Sequence, residues 1–294
     1  MNVLIKICGI KTPEEACAVA SLGVNFLGVI FVSSSKRCVS VETARKIARI
    51  AHQNGAKCVG VFALSCKKHG AAARECKNFS GKTRGEEICS NKGDSKICED
   101  KIYAGTSGSV EFYEAAEFCE KQRDDLSVNL NANYAAPASI KDLNSEIFGA
   151  EVLSEEQILK ICSLCELDCA QIYGRISADF KARLNAAGIE AWQVLSVGAE
   201  MPLLEGLSCD LVLFDTKGAN LGGNGISFDW DILRSVKFDF GMAGGIGEHN
   251  ACEAIKFSPR VLDLNSKVED ENGIKDMRKI ERILEVLKFN NTLE

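Results

Sequence analysis

No apolar run in this chain of 294 residues approaches the roughly 18 to 20 needed to cross a bilayer as a helix. Positive charge is scarce as well: 35 Lys and Arg face 41 Asp and Glu, for a net charge of -6. A phosphate-backbone partner requires clustered basic surface, so neither nucleic acid nor membrane is expected as a partner. Histidine is rare, with His52 and His249 on expected helices and His69 in an irregular stretch, and all three read as structural or solvated. Cys162 and Cys165 form a Cys-x-x-Cys, but no second such pair or His pair stands at zinc spacing, so no metal site is expected. No G-x-G-x-x-G follows the first apolar run, which removes the dinucleotide fingerprint. Met1-Asn2-Val3-Leu4-Ile5 runs straight into a strand without a signal peptide, and the cytoplasm is the expected compartment.

What is present is an ordinary globular composition, 46% hydrophobic and 26% charged, enough to bury a full core as one large domain or one domain with an insert. Cysteine is plentiful, at fourteen residues. In a reducing compartment these do not build a disulfide framework; positions such as Cys17, Cys58 and Cys252 read as small apolar packing residues.

Short β-branched or apolar runs recur at 3–7, 26–32, 58–62, 169–173, 191–195, 211–214, 236–242 and 261–264, and each reads as a strand. Helical patterns lie between them. Thr12-Pro13-Glu14-Glu15 combines an N-cap, a proline at the first helical position and a capping-box glutamate, and Ser154-Glu155-Glu156-Gln157 repeats the box. Further helices are expected at 41–53, 178–187, 228–233, 248–256 and 276–286, with a weak one around 201–207. Alternating βα units with apolar strands imply a parallel sheet buried on both faces, and eight of them imply closure into an α/β (β/α)8 TIM barrel spanning 1–294. An open doubly wound sheet is the structural alternative.

Residues 64–150 break this rhythm as a long insertion in the loop after strand 3, between that strand and its helix. Without them the chain is close to the lower limit of barrel length, about 200 residues. Residues 67–101 mix Gly, Ser and charges of both signs and read as mobile, whereas Phe112, Ala115, Ala116 and Cys119 share one face of a helix expected near 109–122. The five cysteines of this segment have irregular spacing, and a tolerated surface insertion is the simplest reading. As a βα loop it leaves from the face where barrel active sites lie, so a lid or interaction role stays open.

Chemistry in such a barrel belongs at the carboxyl ends of the strands. Cys8 ends the first strand, where it is either a buried packing residue or a thiolate base. Asp215 ends the sixth, ahead of the glycine-rich Leu221-Gly222-Gly223-Asn224-Gly225; alone it could be a cap or salt-bridge partner, and the setting suits a general acid. Met242-Ala243-Gly244-Gly245-Ile246 and Asp263-Leu264-Asn265-Ser266-Lys267 follow strands seven and eight, where barrels cradle phosphate on backbone N–H groups. Arg37, after strand two, is either a solvated charge or a planar fork for a carboxylate.

Together, Lys6-Ile7-Cys8-Gly9-Ile10, Gly28-Val29-Ile30-Phe31, Val59-Gly60-Val61-Phe62, Leu213-Phe214-Asp215-Thr216-Lys217-Gly218 with Phe228-Asp229-Trp230, Ala243-Gly244-Gly245 and the run from Asp263 to Glu269 resemble the phosphoribosylanthranilate isomerases of tryptophan biosynthesis. The likeness covers the chain outside the insertion. It implies a cofactor-free Amadori rearrangement of a small phosphosugar substrate, and a monomer is expected. By position it makes Asp215 the general acid at the furanose ring oxygen and Cys8 the general base at C2. Arg37 would bind the anthranilate carboxylate, Gly244, Gly245, Asn265 and Ser266 would line the phosphate site, and Gln171 and Asp263 would complete the substrate pocket. Two positions depart from the family pattern. Gln171-Ile172-Tyr173-Gly174 stands where Gln-Leu-His-Gly is usual, and Lys267 replaces a glycine in Asn265-Ser266-Lys267-Val268-Glu269, where it either attracts phosphate or strains the turn. Two other readings remain at this level: a non-catalytic barrel whose insertion binds or regulates, and a histidine-pathway phosphosugar isomerase, against which Cys8 argues because paired aspartates are expected there.

Overall fold

A computed structural model describes residues 3–65, 144–145, 150–216 and 227–291. Eight parallel strands close into a barrel in sequence order: β1 (Leu4–Cys8), β2 (Phe26–Ile30), β3 (Lys57–Ala63), β4 (Cys169–Tyr173), β5 (Glu190–Val197), β6 (Leu211–Thr216), β7 (Phe240–Met242) and β8 (Val261–Leu264). Closure is set by β1, in which Lys6 pairs with Phe26 on one side and with Asp263 on the other. The open-sheet alternative is thereby excluded.

The helices start where the capping chemistry places them. Thr12 accepts the Glu15 N–H at 3.1 Å and opens α1 (Pro13–Ser21), and Ser40 accepts the Thr43 N–H at 3.1 Å to open α2 (Val41–Gln53). α3 (Glu155–Cys165) carries the full reciprocal box between Ser154 and Gln157, and Ser177 caps α4 (Ala178–Ala186). The Glu15 carboxylate does not close a box on Thr12. It reaches instead to the Lys11 and Lys275 N–H groups at 2.7 and 2.8 Å, tying the first helix to the loop that precedes the last. On α2, Val41, Ala44, Ile47, Ala48 and Ala51 are buried at the i, i+3, i+4 spacing of an amphipathic face.

Four expected elements shrink, change type or vanish. Residues 201–207 form no helix: Pro202 withholds an N–H, Gly206 turns the chain at φ +63°, and Arg175 Nη2 bonds the Glu205 and Gly206 carbonyls. The segment after β6 is a 3-10 helix (Trp230–Ser235) rather than an α-helix over 228–233. β7 is confined to Phe240–Met242, because residues 237–239 are exposed on the way back to the barrel. The helix after it, α5 (Ala251–Ile255), is shorter than 248–256, and α6 (Met277–Asn291) closes the described chain. On α5, Ala251 and Ala254 face inward and leave Cys252 exposed, which corrects its reading as a packing residue; Cys17, Cys58, Cys162 and Cys165 are buried.

The insertion lies in the loop after β3, and the helix expected near 109–122 falls outside the described residues. Its two flanks are pinned together. Ser65 N–H donates to the Leu153 carbonyl and Leu153 N–H to the Ala63 carbonyl, both at 2.8 Å, and Leu64 bridges Leu153 in parallel. Among the described residues no helix is long and apolar enough to cross a membrane.

Inward-facing side chains form distinct levels along the strands. Toward the amino ends, Phe26, Val59, Cys169, Trp192, Leu211 and Val261 pack as an apolar floor against Leu4, with Phe26 and Trp192 edge to face at 5.0 Å. Two residues further along, alternation brings Lys6, Gln171, Leu213 and Asp263 inward, and two further still Cys8, Tyr173 and Asp215.

Candidate active site

One cavity opens at the carboxyl end of the barrel, and its lining includes Cys8, Gln171, Tyr173, Asp215, Gly244, Gly245, Asp263, Asn265, Ser266 and Lys267. Eight of the nine expected site residues are therefore brought together from β1, β4, β6, β8 and the loops after β7 and β8. Arg37 is the exception: it is absent from the lining, and Glu269 occupies its fork at 2.6 Å from both Nε and Nη2. A carboxylate of the protein thus fills the bidentate edge expected to meet a substrate carboxylate, leaving the Nη1 edge. Arg37 also lies close to the turn after β1, where a Cβ on Gly9 would come within 2.4 Å of its Cδ.

Beneath the mouth runs a chain of buried charges. Lys6 Nζ meets both Asp263 oxygens at 2.8 and 2.9 Å with no exposed surface. Burial opposes its charge, but Asp263, and beyond it Cys8, more than offset that cost and push Lys6 up to about 12. Lys6 therefore stays an ammonium next to Cys8, and Gly28 makes room for both: a Cβ there would stand 3.0 Å from Lys6 Nζ and from Cys8 Sγ. Lys275 Nζ donates to Glu269 at 2.7 Å and to the Asn265 side-chain oxygen at 3.0 Å. An ammonium can only donate, so Asn265 presents its amide N–H2 elsewhere, as a donor available to an anion. Glu269, held between Arg37 and Lys275, stays below the usual carboxylate range despite burial.

Lys6 and Lys275 were not singled out from the sequence. The signal for Lys6 was there, since a lone cation two residues before Cys8 on an apolar strand must face the same interior. Lys275 carries no such signal, because it arrives through an antiparallel bridge to Glu269 in the final loop.

At the mouth, burial pushes the Cys8 thiol up, with Lys6 the main opposing influence. Asp215 is 3% exposed. Burial drives it up to about 6, against hydrogen bonds from Tyr173 and Thr216 and with Asp263 adding to the rise. Tyr173 Oη donates to Asp215 Oδ2 at 2.7 Å, and the Thr216 N–H donates to Oδ1 at 2.8 Å. The phenol that replaces the usual imidazole thus grips the carboxyl expected to act as acid.

The loop after β7 needs glycine for two reasons. Gly244 and Gly245 sit at φ +90° and +66°, and a Cβ on Gly244 would meet Thr216 Oγ1 at 2.2 Å. Lys267 lies on a short 3-10 turn (Ser266–Val268) with ordinary backbone torsions, so its replacement of glycine strains nothing. Among the described residues, the buried Thr216 Oγ1 and Gln171 Oε1 have no hydrogen-bond partner, two polar atoms that a ligand could satisfy. The glycine-rich stretch 221–225 falls outside the described residues. His52 is structural as expected, pairing with Asp168 at 2.8 Å, and no metal-ligating cluster occurs among the described residues.

A closed parallel (β/α)8 barrel with titratable groups gathered at the carboxyl ends of its strands defines a class: barrel enzymes that work on small molecules at that face. Within it, residues 151–286 match the profile of the family described as PRAI, N-(5'phosphoribosyl)anthranilate (PRA) isomerase. The N-(5'-phosphoribosyl)anthranilate isomerase of Campylobacter jejuni is 32% identical over 284 residues, covering 97% of this chain and 98% of that protein. The chain belongs to the N-(5'-phosphoribosyl)anthranilate isomerase family. The tryptophan biosynthesis protein TrpCF of Helicobacter pylori is 39% identical over 139 residues, 46% of this chain and 30% of that longer protein. The fold agrees: the crystal structure of phosphoribosyl anthranilate isomerase from Thermus thermophilus superposes with a TM-score of 0.60 at 18% identity, covering 99% of this chain and all of that one.

Proposed function

We propose that this chain converts N-(5-phosphoribosyl)anthranilate into 1-(2-carboxyphenylamino)-1-deoxyribulose 5-phosphate, a step of tryptophan biosynthesis, with Asp215 as general acid and Cys8 as general base. The observation that carries the reading is the shared cavity: thiol, carboxyl and both glycine- and asparagine-bearing loops face one space. Asp215, raised to about 6, keeps a protonated fraction near neutral pH and gives its proton to the furanose ring oxygen. The C1–O bond breaks as the anthranilate nitrogen lone pair forms a C=N bond. Cys8, as thiolate, then removes the C2 proton, and the electron pair flows into the iminium to give an enolamine that tautomerises to product. Because the iminium is the electron sink, the chemistry needs no cofactor.

Lys6 supports the thiolate from below. Backbone N–H groups around Gly244 and Gly245, the Asn265 amide and Ser266 receive the phosphate, with Lys267 adding positive charge at the rim. Gln171 and Asp263 line the base of the cavity, and Arg37 meets the anthranilate carboxylate through its remaining Nη1 edge. All of these groups come from one chain, so a single protomer holds a complete set of them. A cytoplasmic location would keep the described cysteines as free thiols.

The test is a fluorescence assay following loss of the anthranilate-linked substrate. Turnover by the purified chain, removed by Cys8→Ala and by Asp215→Ala, is the expected result; near-normal rates in either variant would sink the assignment.

A further inference from the structure

We propose that Tyr173 is a positioning residue for the acid: its hydroxyl selects Oδ2 of Asp215 as the oxygen that carries and surrenders the proton, and it stabilises the carboxylate left behind. The inference rests on the reading of Asp215 as the acid and goes beyond it by naming the oxygen and its keeper.

The geometry supplies the argument. Oδ1 of Asp215 accepts the N–H of Thr216 at 2.8 Å, a fixed backbone donor that disfavours a proton on that oxygen. Oδ2 is left as the proton-bearing atom, and it lies 2.7 Å from Tyr173 Oη. A carboxyl O–H and a phenol O–H can share that contact in two ways. Either the phenol accepts from Oδ2, or it donates to the second lone pair while the acid proton points into the cavity. Only the second is productive. When the proton passes to the ring oxygen and the C1–O bond breaks, the negative charge on Oδ2 meets a phenol donor already in place. The phenol keeps its own proton throughout, since burial, with Asp215 beside it, lifts Tyr173 well above the usual tyrosine range.

The contact is held from both sides. Tyr173 ends β4, in register with Ala63 on β3 and Val194 on β5, and Asp215 pairs with Ser196 further along β5. Tyr173 is 8% exposed and packs in the same apolar cluster as Val61, Val194 and Leu213. Among the described residues, the other titratable groups that act on this pair are Lys6 and Cys8 on β1 and Asp263 on β8. Of these, Asp263 raises Asp215 and Lys6 lowers it, and Tyr173 alone among their side chains bonds it directly.

Removing the donor should make Asp215 a weaker acid. In Tyr173→Phe, the 13C-carboxyl titration of Asp215 is expected to move up by about one pH unit. The acidic limb of the kcat/KM profile should move with it. A second substitution guards against a packing artefact: 3,5-difluorotyrosine at 173 keeps the shape but donates more strongly, and should move the same titration down. An Asp215 titration unmoved in Tyr173→Phe, or moved the same way by both substitutions, overturns the inference. The titration does not depend on turnover, so it separates this outcome from failure of the acid assignment, which Asp215→Asn reports by retaining activity.

Discussion

The floor of the barrel and its mouth are built by the same eight strands, two to four residues apart, yet they obey different rules. The floor residues Phe26, Val59, Cys169, Trp192, Leu211 and Val261 are apolar and interlocked, so their cost and benefit are counted in packing. At the mouth, Cys8, Tyr173 and Asp215 are as deeply buried, but burial there shifts protonation rather than adding cohesion. Between them, Lys6 and Asp263 form a charged level that belongs to both. Moving along a strand by two residues thus moves from stability to chemistry, and the two can be perturbed separately.

The sharpest way to break this division is at the mouth. Cys8→Ala and Asp215→Ala are each expected to lower turnover by about 1,000-fold or more, with thermal unfolding essentially unchanged. A parallel collapse in the unfolding midpoint would show that these side chains serve packing after all. The charged level comes next. Lys6→Met leaves Asp263 buried without its partner and should cost about 3–5 kcal/mol in urea unfolding, with turnover falling too. On the floor, Trp192→Ala should cost about 3–5 kcal/mol while the folded fraction keeps its turnover. A catalytic defect as deep as that of Cys8→Ala would erase the distinction.

A gentler probe is pH. The productive state pairs a protonated Asp215 with a Cys8 thiolate, and it holds as many protons as the prevailing pair of carboxylate and thiol. It is therefore populated between the two pKa values and lost outside them. Since Asp215 lies near 6 and burial places Cys8 above its ordinary range, kcat/KM should rise as pH climbs through about 6 and fall only in the alkaline range. A single descending limb near 6 would contradict the sign. The smallest effect is expected from replacing residues 66–148 with a short linker, which should leave turnover within about threefold because loop length costs little once the ends are pinned.

Much of this arrangement was legible before any coordinates. Runs of Val, Ile, Leu and Phe marked all eight strands, and strand ends marked Cys8 and Asp215, because period-two alternation and the barrel's polarity are local properties of the chain. What escaped was set by partners remote in sequence. Glu269 fills the Arg37 fork from 232 positions away, and Lys275 reaches Asn265 only because the last loop folds back on itself. The glutamate at 15 fitted a capping box by spacing, but Lys275 offered its carboxylate a better-buried N–H. Tyr173 was visible as a departure from the family pattern, whereas its bond to Asp215 required the curvature of the closed sheet.

The staple that joins Ala63, Leu64 and Ser65 to Leu153 also bears on how such a chain could change over generations. With both flanks fixed, the length of the intervening segment enters the stability of the barrel through the entropy of a closed loop, which grows with the logarithm of that length. Gains or losses of sequence between the flanks are expected to leave in place the strand register that the staple fixes. Selection on this locus therefore acts on what the segment does, with little say over how long it is.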